Sequence, residues 1–68
     1  MLEVLELTEK QEQEHILWKS QYAQILRTRY GASVQSSITE AEGALYDNLL
    51  TDGNIQHTPL DYARSLYE

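Results

Sequence analysis

Apolar residues recur three and four positions apart in three segments of this chain, the spacing that one face of a helix requires. The first segment predicts a long helix from about Thr8 to Tyr30. Thr8 followed by Gln11 fits a capping box, in which each side chain satisfies the other residue's free backbone N–H. Gly31 supplies the stop, because glycine accepts the left-handed conformation that ends a helix. Arg27 and Arg29 fall in the last turn, where the helix dipole favours cations.

The second segment predicts a helix from about Ser37 to Thr51, with Ser33 as an alternative start. Ser37 and Glu40 form a second capping-box pattern, and Asp52-Gly53 ends the segment. Val34, Ile38, Ala41, Leu45 and Leu49 fall in one narrow stripe. Gly43 lies among them and costs ~1 kcal/mol relative to alanine, so either something packs closely against it or the helix is locally weak. The third helix is short, from about Pro59 to Tyr67. Thr58 is a suitable N-cap, Pro59 belongs at the first helical position and Asp61 suits the positive end. Leu60, Ala63 and Tyr67 make its apolar face, with Leu66 beside it.

The leading MLEVLEL breaks this helical pattern. It reads as an extended arm, or as a short strand that would have to pair with another molecule, since the chain offers it no second strand. The expected architecture is all-α: one small domain spanning residues 1–68, a three-helix bundle with an extended N-terminal arm.

Helix one is wider on its apolar side than a single core needs. At 100° per residue one seam holds Ile16, Ala23, Leu26 and Tyr30, and a second holds Trp18, Tyr22 and Ile25. Together they cover ~180°, against the ~100° stripe of an ordinary surface helix. Aromatic-rich apolar faces favour binding. The expected contact surface is therefore Trp18, Tyr22 and Ile25, with Arg29 at the C-terminal end.

Composition narrows the classes. At 68 residues the chain can bury only a modest core, and with no cysteine it has neither disulfides nor thiolate metal ligands. Small domains of this kind gain much from a partner chain. The net charge of −6 repels phosphates and anionic lipid. A helix-turn-helix reading fails on the same ground, because Glu40, Glu42 and Asp47 crowd the second helix, which carries no base. No apolar run reaches the ~20 residues needed to span a bilayer. MLEVLEL lacks the basic start of a signal peptide. These features lead to the expectation of a soluble, cytoplasmic protein with no nucleic-acid or membrane partner.

Candidate chemistry is thin. Glu12 and His15, one helical turn apart on the apolar side, resemble the Glu-x-x-His element of ferritin-like di-iron proteins. The resemblance covers four residues. It would imply a metal-binding homodimer, with Glu40 or Glu42 as further ligands. HTPLDYAR resembles the opening of an ankyrin repeat, but Asp61 stands where that pattern has histidine and no second repeat follows. His57 lies near Asp52 and Asp61 without a placed nucleophile, and no glycine-rich phosphate loop exists. A chain this small seldom encloses a substrate pocket.

The sequence thus points to a non-enzymatic protein–protein interaction module. It is expected to self-associate through helix one, and to need no cofactor, metal or small-molecule substrate. The alternatives are an acidic inhibitor or nucleic-acid mimic using Glu40, Asp47 and Asp52, and the metal-binding dimer of Glu12 and His15.

Overall fold

The computed structural model describes residues 8–68, which form three helices: α1 (Glu9–Arg29), α2 (Val34–Asn48) and α3 (Pro59–Tyr67). The strand or arm expected over MLEVLEL lies outside the described residues. The all-α, three-helix expectation holds. α1 is the spine: α2 and α3 each pack along it and barely touch each other through their backbones.

The ends of α1 follow the sequence closely. The Thr8 hydroxyl accepts from the Gln11 backbone N–H at 3.1 Å, and the Gln11 side chain returns the bond to the Thr8 N–H at 3.1 Å. At the other end Gly31 takes φ 70°, and the Leu26 carbonyl accepts from both Tyr30 and Ala32.

α2 takes the earlier, alternative start at Ser33 and departs from expectation in stop and face. Its N-cap is Ser33, whose hydroxyl accepts from the Ser36 N–H at 3.2 Å. Ser37 lies inside the helix, fully buried, and its hydroxyl donates to the Val34 carbonyl at 2.8 Å. The helix stops at Asn48 rather than Thr51 because Leu49 swings to an extended conformation and pairs antiparallel with Ile55. The buried face is Ser37, Ala41, Ala44, Leu45 and Asn48, while Val34 and Ile38 stand in solvent. Alanines and a serine let the two backbones approach closely, and the branched side chains are left on the flank. Gly43 is not a close-packing site, since a Cβ there would meet nothing within 4 Å.

The core is small and aromatic. Trp18 stacks on Tyr22 with ring centroids 5.1 Å apart and planes 7° from parallel. Tyr62 of α3 tilts against both rings, at 6.4 and 5.9 Å. Leu26, Ala23, Ala41, Ala44, Leu45 and Ala63 complete it. α3 contributes only Ala63 as a fully buried residue; Leu60, Leu66 and Tyr67 of its expected face are substantially exposed.

Candidate interaction surface

The expected contact seam turns out to be the inside of the molecule. Trp18 is 5% exposed and Tyr22 1%, so neither presents a face to a partner, and Ile25 is half-buried against the core. Arg29 alone is out in solvent, 3.9 Å from the Glu68 carboxylate, to which Tyr30 also donates. The extra width of the α1 apolar face has a simple cause. α2 and the α2–α3 connection, together with α3, cover adjacent sides of the helix, so the second seam and all of the first except Ile16 find cover within the chain.

Glu12 and His15 do not form a pair. Glu12 is exposed, whereas His15 is buried with Nε2 2.7 Å from the Gly53 carbonyl. A carbonyl only accepts, so Nε2 carries the proton and donates. Among the described residues no cluster of three histidines or acids is placed to hold a metal.

His15 belongs to a donor line on α1 that the sequence did not reveal. Gln11 Nε2 donates to the Asp52 carbonyl at 3.0 Å, His15 to Gly53, and Trp18 Nε1 to the His57 carbonyl at 2.9 Å. Positions 11, 15 and 18 lie one turn apart on one face, and together they grip the segment joining α2 to α3. That segment is shaped for the grip. Gly53 takes φ 86°, its N–H donates to Leu50, and Asp52 accepts from the Asn54 N–H at 3.0 Å. Buried Asn48 closes the network. Its amide N donates to the Ala44 carbonyl, so its oxygen accepts from His57 Nδ1 at 2.9 Å.

Two of the three acids of helix two, Glu40 and Asp47, are likewise engaged. Asp47 accepts from the Tyr62 hydroxyl at 3.0 Å, and Glu40 accepts from Tyr67. These contacts push both tyrosine pKa values up: burial leads for Tyr62, and the hydrogen bond to Glu40 leads for Tyr67. Tyr30 is raised chiefly by its bond to Glu68. Tyr22 is pushed up to about 12, mainly by burial.

What remains at the surface is apolar on two flanks of α1. On one side Leu17 and Ile25 border two shallow clefts of about 420 and 300 Å³, which share Gln21, Thr58 and Pro59. On the other side Ile16, 62% exposed, stands beside a smaller groove between α1 and α2. The adjacent pair Ile16–Leu17 was the available sequence signal: neighbouring positions on a helix point ~100° apart, so one core rarely buries both. No helix among the described residues is long and apolar enough to cross a membrane. Comparison with known proteins finds no match among family models, curated proteins or solved structures.

Proposed function

We propose that this protein is a non-enzymatic protein–protein interaction module that associates with itself. The observation that carries the reading is the distribution of large apolar side chains. Ile16, Leu17, Val34, Ile38, Leu60 and Leu66 are all exposed on a domain whose aromatic core is already closed. Covering such side chains by association is favourable at roughly 25 cal/mol per Å². The titratable groups support the same reading from the other side. His15 and His57, the two histidines, are each tied to a hydrogen-bond partner within the fold, as are Glu40, Asp47, Asp52 and Glu68, so both imidazoles serve the structure.

Sedimentation equilibrium over a range of concentrations tests this. The expected result is a mass that rises toward twice that of the chain; a mass that stays at one chain throughout would overturn the reading.

A further inference from the structure

Three features of the α1–α2 flank fit a second copy of the chain. The first is a protruding side chain, Ile16. The second is a groove of about 150 Å³ on the same flank, bounded by Lys19, Ser20 and Ala23 of α1 and by Ile38, Ala41 and Glu42 of α2. Ser20 and Ala23 lie one and two turns beyond Ile16, so protrusion and groove are side by side. The third is charge. At about 100° per residue Glu12, Ile16, Ala23 and Arg27 fall within about 60° of one another, with the acid at one end and the base at the other. Among the described residues neither Glu12 nor Arg27 takes part in an ion pair.

A two-fold contact requires one patch to complement itself, and this patch does. We propose that two copies dock α1 against α1 antiparallel, with Ile16 of each seated in the groove of the other. Setting Ile16 opposite the second copy's Ala23 fixes the register. Paired positions then sum to 39, so Glu12 meets Arg27 at both ends of the contact. A parallel arrangement would instead oppose Glu12 to Glu12 and Arg27 to Arg27. The charges therefore select the direction, and Ile16 with its groove selects the depth. Ile38, 44% exposed at the groove rim, is covered in the same step.

This inference rests on the self-association reading, and its test separates the two. The dissociation constant is measured by sedimentation for wild type, Ile16→Asp and Leu17→Asp. Both substituted side chains are exposed, so both variants should keep the wild-type helical circular dichroism. Ile16→Asp should weaken the dimer by roughly a hundredfold or more, because one large apolar side chain per copy leaves the contact, and Leu17→Asp should leave it intact. Glu12→Arg and Arg27→Glu should each weaken it about two- to fivefold, and the double reversal should restore it. If Leu17→Asp dissociates the dimer and Ile16→Asp does not, self-association stands and this contact is overturned. A double reversal no better than the single changes overturns the antiparallel register. A monomeric wild type overturns both readings.

Discussion

His15 on α1 and Gly53 in the α2–α3 connection, 38 residues apart, are joined by a 2.7 Å hydrogen bond from a buried imidazole to a backbone carbonyl. Each explains the other. Gly53 can bring its carbonyl under α1 because it adopts φ 86°, a conformation that costs a side-chain-bearing residue roughly 1–2 kcal/mol. His15 fills an apolar-side position because a donor is needed there. His15→Ala should accordingly destabilise the fold by about 1–3 kcal/mol, the cost of a buried carbonyl left without its donor. Gly53→Ala should cost a similar amount through backbone strain. Urea denaturation measures both, and a His15→Ala protein as stable as wild type would show that the bond does not hold the connection. Zinc or iron should leave the melting temperature unchanged, since the imidazole is committed.

Gly43 offers the opposite sign. It sits in the middle of α2, exposed, and an added methyl would meet nothing. Gly43→Ala should raise stability by ~1 kcal/mol through the lower entropy of the unfolded chain. A lower denaturation midpoint for this variant would mean that the open space is filled by something other than solvent.

Alkaline pH should unfold the protein. The Tyr22 pKa is raised in the folded state from 10.0 to about 12, chiefly by burial, and Tyr30, Tyr62 and Tyr67 are raised as well. The native state therefore holds these protons more tightly than the unfolded chain. Their stabilising contribution is complete below pH ~10 and is lost as pH rises from there through the folded values. Tyrosinate absorbance followed alongside circular dichroism should show ionisation and loss of helix above pH ~10. Tyr22→Phe should lessen that loss. Complete ionisation near 10 with the helices intact would refute the burial assignment.

Glu40→Gln with Asp47→Asn addresses the acids of α2. These carboxylates accept from Tyr67 and Tyr62, so the double change should lower stability by up to about 1 kcal/mol per bond. Self-association should be unaffected, because both residues face α3 and not the Ile16 flank. Loss of binding with unchanged stability would restore the phosphate-mimic reading.

The sequence by itself determined the three helices and the caps of α1 and α3. Thr8, Gln11, Gly31, Thr58 and Pro59 act on backbone groups within a few residues of themselves, so their effect is legible without knowing the fold. It did not determine which side of each helix is inside. On α2 the stripe of Val34 and Ile38 is apolar enough to be core, yet Ser37, Ala44 and Asn48 are buried in its place. The gap between α1 and α2 admits small side chains, and the polar ones among them find carbonyl partners at close range. On α1 the doubled seam indicated a large apolar demand, but only the packed structure could say who meets it. Tyr62 of α3 closes over Trp18 and Tyr22, and their surface is spent inside the chain. What is left outside is Ile16, a residue whose period made it look like core. Burial depends on where the other helices lie across the spine, and that placement is set by contacts such as His15 to Gly53 and Trp18 to His57, made between residues that no local pattern links.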